Sequence, residues 1–199
     1  MFNDAVEAEF FENLDGESIA EKISKRSIHR LYFKQNAYNW ICVSTNPPPS
    51  FDLHDRRIPQ TQIADIALST EEIMRIMLLL LSGRLFFAYW LVYADEFHVT
   101  KETFESFPFP FSILDALDQQ RLIELSSSFE ERLPETIQYK LNAGKRVGTY
   151  NTAKLWHLTD QSDEIFLKYL TNDPKRVFES IQRHVAETIK TVTDNSSED

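Results

Sequence analysis

The stretch TEEIMRIMLLLLSGRLFFAYWLVY, residues 70–93, decides the fold of this chain. Apolar residues fill most of its positions, and Ser69 stands three residues before Glu72, a spacing typical of a capping box at the start of a helix. We therefore predict a central, buried core helix over about residues 70–93. Arg75 and Arg84 interrupt the apolar run, so we do not interpret it as a membrane span.

The residues before this helix indicate a small antiparallel sheet. Residues 27–34 and 39–45 are rich in β-branched and aromatic side chains. The polar pair Gln35–Asn36 between them would let the chain turn back as a hairpin. Three prolines at 47–49 stop regular structure, and a loop is expected to about Ile63.

The residues after it predict further helices and one irregular apolar segment. Thr100 is expected to cap a single helical turn, and the proline-interrupted phenylalanines of residues 107–111 to pack onto the core. The apolar period and a Pro174 start signal predict the remaining helices, and glycines predict one loop with a short strand. These segments are a helix over 113–133, the loop and strand over 144–151, a helical turn over 159–169, and a helix from Pro174.

These elements predict an α+β fold that is predominantly helical, with a small antiparallel sheet or hairpin and the central apolar helix. A chain of 199 residues with 42% hydrophobic content is large enough to bury a core. We expect an acidic N-terminal helical segment at 1–25, a main domain at 26–192 and a disordered acidic tail at 193–199.

The net charge of −10 comes from the two ends of the chain. Residues 22–193 carry 21 basic and 21 acidic side chains, so the ten remaining acids account for the whole excess. Two basic stretches contain no acid: Lys22, Lys25, Arg26, Arg30 and Lys34, then Lys140, Lys145, Arg146 and Lys154. Each is interpreted either as a phosphate-binding surface or as a solvated face.

No motif for catalysis or metal binding is complete. Asn46-Pro47-Pro48 is similar to the tetrapeptide with which amino-group methyltransferases hold a flipped base, but its fourth residue is Pro49 instead of an aromatic. The only glycine before it is Gly16, so no loop for S-adenosylmethionine precedes the motif. The five histidines are scattered, and the lone Cys42 excludes an internal disulfide and a four-cysteine zinc site. We therefore expect no catalytic residue, no metal and no cofactor.

Eight segments together resemble the C-terminal, target-recognition region of type IIG-like restriction–modification adenine DNA methyltransferases. They occur in this order: IHRLYF (28–33), NWI (39–41), PPPSF (47–51), LSGRLFFAYW (81–90), FHVTK (97–101), FPFP (107–110), GKRVGTYN (144–151) and HLTD (157–160). In that family this region reads DNA while an upstream domain transfers the methyl group. The resemblance implies that residues 26–192 form a target-recognition-like domain, and this sequence departs from the family by lacking the upstream domain.

The resemblance and the basic side chains together nominate ten DNA-binding residues. Lys and Arg would hold phosphates, Arg57, Arg146 or Asn151 would pair with base edges, and Tyr150 would stack. The set is Arg30, Lys34, Arg56, Arg57, Lys101, Lys145, Arg146, Tyr150, Asn151 and Lys154. Trp156 is assigned to the core in preference to a base wedge, and His98 to a structural hydrogen bond.

We therefore expect a cytoplasmic, non-catalytic specificity module whose partners are double-stranded DNA and a methyltransferase catalytic domain or subunit, without a membrane. An alternative from another class stays open. The acidic ends and the aromatic surface would also suit a protein-interaction or regulatory subunit that does not bind DNA directly.

Overall fold

The computed structural model describes residues 2–37, 39–60, 62–95, 97–109 and 111–195, with side chains to residue 189. The fold is α+β and predominantly helical, with two small antiparallel sheets, as predicted. The helices are α1 (Ala5–Glu12), α2 (Glu71–Ser82), α3 (Arg84–Tyr93), α4 (Lys101–Glu105), α5 (Ala116–Arg132), α6 (Trp156–Leu170) and α7 (Pro174–Asn195). The strands are β1 (Arg30–Lys34), β2 (Val43–Ser44), β3 (Ser50–Phe51), β4 (Arg57–Ile58), β5 (Ile63–Ala67), β6 (Ile137–Asn142) and β7 (Lys145–Tyr150).

The stretch at 70–93 is helical and buried, but it forms two helices, α2 and α3, that are bent by 65° at Gly83. The cause is Asp163 of α6, whose Oδ2 accepts a hydrogen bond of 3.1 Å from the backbone amide of Leu85 in the first turn of α3. A Cβ atom on Gly83 would lie 2.4 Å from Asp163 Oδ1, so only glycine lets the carboxyl approach the helix start. Thr70, one residue after the expected Ser69, caps α2 by accepting a bond from the amide of Ile73.

The first sheet has the strand order β2-β1-β5 and contains the predicted hairpin, whose second strand is only two residues long. Leu31 lies opposite Ile66, and Phe33 lies opposite Val43. All four side chains are at most 1% exposed, because the helices cover this face. The third strand, β5, lies at the end of the segment predicted to be a loop.

A cluster of phenylalanines forms the centre of the core. The segment at 107–111 packs into it as predicted, since Phe107 and Phe109 are fully buried. The ring of Phe109 contacts Phe166 of α6 at 5.1 Å, and Phe86 of α3 stacks on Phe104 of α4 at 5.3 Å. Thr100 caps α4 as predicted, by accepting a bond from the amide of Thr103. Trp156 is buried, in agreement with its assignment to the core.

The N-terminal helix α1 packs against the C-terminal helix α7. Asp4 caps α1 and accepts a hydrogen bond of 2.6 Å from Ser180 Oγ. Glu7 is completely buried and lies 2.7 Å from Nδ1 of His184. Helix α7 begins at Pro174, as predicted, and extends to Asn195, beyond the predicted start of the tail at residue 193. Residues 196–199 of that tail lie outside the described residues.

In the described part of the chain, no single helix has both the length and the hydropathy needed to cross a membrane. The pair α2 and α3 meets both conditions only when the two bent helices are taken together.

Candidate nucleic-acid interface

The second sheet has the strand order β4-β3-β7-β6 and is the more exposed of the two sheets. Five of the six residues of β6 are exposed. Strands β6 and β7 are joined by Ala143 and Gly144, both with positive φ, of 47° and 74°, as in the two-residue turns that fit the twist of a hairpin. The result is a hairpin that extends from the core into solvent.

One face of this sheet presents an arginine beside two aromatic rings that contact each other. Arg146 lies opposite Phe51 on β3 and Leu141 on β6, so these three residues form a row across one face. The Arg146 guanidinium is 5.3 Å from the ring centroid of Phe51 and 5.7 Å from that of Tyr139. Its Nη2 is 2.5 Å from Oδ1 of Asp55. The row combines a cation with flat apolar surfaces, which are the groups that contact phosphates and bases.

The proline segment holds the sheet in place from one side. The Pro49 carbonyl approaches Gly148 so closely that a Cβ there would lie 2.2 Å from its oxygen. The Nε2 atom of Gln60 donates to the carbonyl oxygens of Pro48 and Gly148, at 2.9 and 2.7 Å. Next to this contact is an open groove of about 480 Å³, lined by Pro47, Pro48, Arg57, Ile58, Pro59, Gln60 and Ile63.

The charge of this region is opposite to that of the whole chain. Residues 50–60 and 137–154, which form the second sheet and its flanks apart from the Pro47–Pro49 segment, carry six basic and two acidic side chains, a net +4 in a chain of −10. Both acids are already paired, Asp52 with Arg56 and Asp55 with Arg146. An exposed positive surface in an acidic protein would attract polyanions.

The structure brings several of the ten predicted residues together on this sheet. Arg56, Arg57, Lys145 and Arg146 lie at or beside its strands and are exposed. Tyr150 ends β7, and Asn151 follows it. Lys154 is exposed in the 3-10 turn Thr152–Leu155 that comes next.

Three of the ten predicted residues are shielded from solvent, wholly or in part. Tyr150 is only 9% exposed, and burial raises the pKa of its hydroxyl. Asn151 Oδ1 is buried without a hydrogen-bond partner, so that atom is not presented to a ligand. Lys34 is 8% exposed, and its burial lowers the pKa of its ammonium group. The Lys34 amide donates to the carbonyl of Cys42, which is itself buried.

Three predicted residues belong to other parts of the fold. Arg30 begins β1 in the first sheet and forms an ion pair with Asp65 on β5, and Lys34 ends the same strand. Lys101 begins α4, which packs against the 3-10 turn Ile19–Lys22. His98, predicted to be structural, is hydrogen-bonded through Nδ1 to Asp95 at 2.6 Å.

Sequence reasoning did not nominate the residues of β6 or the apolar side chains at this end of the sheet. The residues concerned are Phe51, Leu53, Tyr139 and Leu141, whereas Lys140 was named only as part of a basic stretch. A signal was present, because Ile137, Tyr139 and Leu141 alternate with polar residues, as expected for a strand with one apolar face. The Ala143-Gly144 pair then separates that strand from β7 at hairpin spacing.

The structure offers little support for other chemistry in the described residues. Among them, no group of three or more His, Cys, Asp or Glu side chains is placed to hold a metal ion. Burial raises the pKa of the Cys42 thiol to about 11, which disfavours the reactive thiolate. Comparison of the chain with protein-family models, curated proteins and solved structures found no match.

Proposed function

We propose that this chain binds double-stranded DNA through its second sheet, as the non-catalytic target-recognition module of a restriction–modification or phage-defence methyltransferase system. The chemistry would belong to a separate methyltransferase domain or subunit. One observation carries the DNA proposal: the more exposed sheet, with its flanks, has a net charge of +4 and an arginine beside two aromatic rings, in a chain whose net charge is −10. The assignment to methyltransferase systems rests on the sequence resemblance.

The size and shape of the sheet support this use. A two-stranded antiparallel ribbon fits the major groove of B-form DNA, and the β6–β7 hairpin has strands of six residues each. Exposed Lys145 and Arg57 would contact phosphates on either side. Affinity should therefore be weak and strongly salt-dependent for DNA of arbitrary sequence, with Kd values of about 10⁻⁴ to 10⁻⁶ M at physiological salt.

The test is a fluorescence anisotropy titration of a labelled 30-base-pair duplex, of mixed sequence, from 50 to 200 mM NaCl. The change Lys145→Ala/Arg146→Ala should weaken binding and reduce the slope of log K against log salt by about 0.9, the contribution of the Lys145 phosphate contact, because Arg146 is held in its ion pair with Asp55. The matched control is Lys175→Ala/Arg176→Ala, which removes another exposed Lys-Arg pair at the start of α7. It should leave the slope unchanged.

Two results would contradict the proposal. The first is the absence of binding at 50 mM NaCl, with the methyltransferase partner absent or present. The second is an equal loss of affinity in both double variants, which would indicate a general charge effect instead of a defined interface.

A second function is favoured by one specific feature, the edge position of β6. This strand is terminal in the order β4-β3-β7-β6, and Leu141 on it is 75% exposed. A partner protein would be able to add a strand to this edge. Capture of a protein from the native host that resists nuclease treatment and is lost in Leu141→Lys would support this function over DNA binding.

A further inference from the structure

The end of the second sheet that points away from the core carries two exposed leucines. Strands β3 and β4 are joined through Asp52–Arg56, and β6 and β7 through Ala143–Gly144, and the register places both turns at the same end. The Leu53 side chain lies across Gly144, with Cδ1 3.4 Å from the position that a Cβ atom would take there. Leu53 and Leu141 are both 75% exposed.

The exposure of two leucines at one tip contributes nothing to the stability of the isolated chain, because an apolar side chain is stabilising only when it is removed from water. The charges around the leucines indicate what kind of surface would cover them. Residues 52–57 and 140–146, which form this end of the sheet, carry five basic and two acidic side chains. The two acids, Asp52 and Asp55, pair with Arg56 and Arg146, and the net charge of +3 is complementary to a partner that offers negative charge around a narrow apolar space.

Duplex DNA offers both features when a base step is opened. The phosphates supply the negative charge, and two base pairs that have been partly unstacked leave an apolar gap between them. We propose that Leu53 and Leu141 form an apolar wedge that enters an opened base step and kinks the duplex. Flexible pyrimidine–purine steps such as TA are the favoured sites, because they unstack most easily. The inference rests on the proposed DNA binding.

The experiment uses the full chain and a 30-base-pair duplex with 2-aminopurine beside a single central TA step, since the fluorescence of this base rises when it loses its stacking partner. Binding of the unaltered protein should raise the fluorescence severalfold. The change Leu53→Ala/Leu141→Ala should abolish the rise but leave the salt slope of binding unchanged, because it removes no charge. Leu53→Met/Leu141→Met should keep the rise, since methionine has a similar apolar volume.

The matched control is Ile113→Ala/Leu117→Ala, which truncates two other exposed apolar residues: Ile113, 56% exposed, ends the 3-10 turn before α5, and Leu117, 69% exposed, lies in the first turn of α5. This variant should keep the full fluorescence rise. The four residues changed in these variants are all exposed, so the thermal unfolding temperature of each variant should match that of the unaltered protein. This measurement shows that every variant compared is folded.

The outcomes separate the two proposals. If no duplex binds, the proposed function fails, and the wedge fails with it. If the duplex binds without a fluorescence rise, or if the double alanine variant keeps the rise, the wedge is overturned while DNA binding stands. Sedimentation velocity tests whether the leucines instead form a contact between two copies of the chain. If the unaltered protein is a dimer and Leu53→Ala/Leu141→Ala is a monomer with an unchanged fluorescence rise, the leucines form a protein contact and the wedge is overturned.

Discussion

Leu31, Phe33 and Val43 of the first sheet are at most 1% exposed, whereas five of the six residues of β6 in the second sheet are exposed. Both sheets are small, antiparallel and rich in aromatic side chains. In the first, Phe33 faces the helices and is part of the core. In the second, Phe51 and Tyr139 lie beside Arg146, and Tyr139 is exposed. The contrast between a buried apolar sheet and an exposed, positively charged one is the basis on which we propose binding for the second sheet.

The largest expected effect comes from the core side of this comparison. Phe104 is fully buried between Phe86, at 5.3 Å, and Phe33 of the first sheet, at 4.5 Å. Phe104→Ala should lower the free energy of unfolding by about 3–5 kcal/mol, because it removes a packed ring and leaves a cavity. Urea unfolding followed by tryptophan fluorescence measures the loss.

The control on the second sheet is Leu141→Ala. Its side chain is 75% exposed, so the free energy of unfolding should change by no more than about 0.5 kcal/mol. A loss similar to that of Phe104→Ala would show that Leu141 is packed in solution and would remove the contrast between the sheets.

A second effect concerns Asp163, which ties α6 to the start of α3. Burial raises the pKa of this carboxyl well above its usual range, and the amide of Leu85 opposes the rise only in part. A raised pKa in the folded state stabilises the fold at low pH, and this contribution is lost as the pH rises from about 4 through the folded pKa. The loss is about 1.4 kcal/mol for each pH unit between the folded and unfolded pKa values.

Asp163→Asn should therefore change stability in a pH-dependent way. The amide keeps an oxygen that accepts from Leu85 but never ionises, so the variant should gain on the unaltered protein as the pH rises from 4 to 8. Urea unfolding at several pH values measures the gain. Asp160→Asn removes the half-buried partner of Arg84 and with it a charge that helps to raise the Asp163 pKa, so it should change the same pH dependence in the same direction but by less. Parallel stability curves for Asp163→Asn and the unaltered chain would contradict the assignment.

The sequence predicts the core side of the molecule better than the exposed side. Burial leaves a periodic apolar pattern, so the stretch at 70–93, the phenylalanines at 107–111 and the helix from Pro174 are all predictable. The bend at Gly83 was not, because it depends on Asp163, a residue 80 positions away that becomes a neighbour only after folding. Local propensity carries no information on such a contact.

Strands of the second sheet were harder to predict for a different reason. Strands β3 and β4 have two residues each, which is too short for a period, and prolines precede β3. Basic residues at 140–154 were identified from charge alone, and Arg56 and Arg57 were placed in a loop. Only the pairing of β3 with β7 brings Arg146 against Phe51, and this pairing joins residues almost 100 positions apart.

A smaller effect is expected from Gly144 in the turn of the exposed hairpin. Its φ of 74° is in the left-handed region, where a residue with a Cβ is disfavoured by about 1–2 kcal/mol. Gly144→Ala should loosen the β6–β7 hairpin without affecting the core. Hydrogen exchange should quicken at the amides of β6 and β7 and stay unchanged in β1. Gly16→Ala, at an exposed glycine without a positive φ, is the control, and faster exchange in β1 of Gly144→Ala would show that the two sheets are not independent.

A smaller effect on stability than that of Gly144→Ala, and the sharpest test of the comparison, comes from the acid that pairs with Arg146. Asp55 has a φ of 57°, a conformation that asparagine also adopts readily, and its ion pair is exposed. Asp55→Asn should therefore change the free energy of unfolding by less than about 1 kcal/mol. It should, however, raise the affinity for duplex DNA and steepen the salt slope by about 0.9, because Arg146 becomes available to a phosphate.

The control is Asp65→Asn, which makes the same change beside Arg30 on the first sheet and should leave both the affinity and the salt slope unchanged. If anisotropy titrations show an equal gain for the two variants, the interface extends to the first sheet, and the division between a sheet that stabilises and a sheet that binds is wrong.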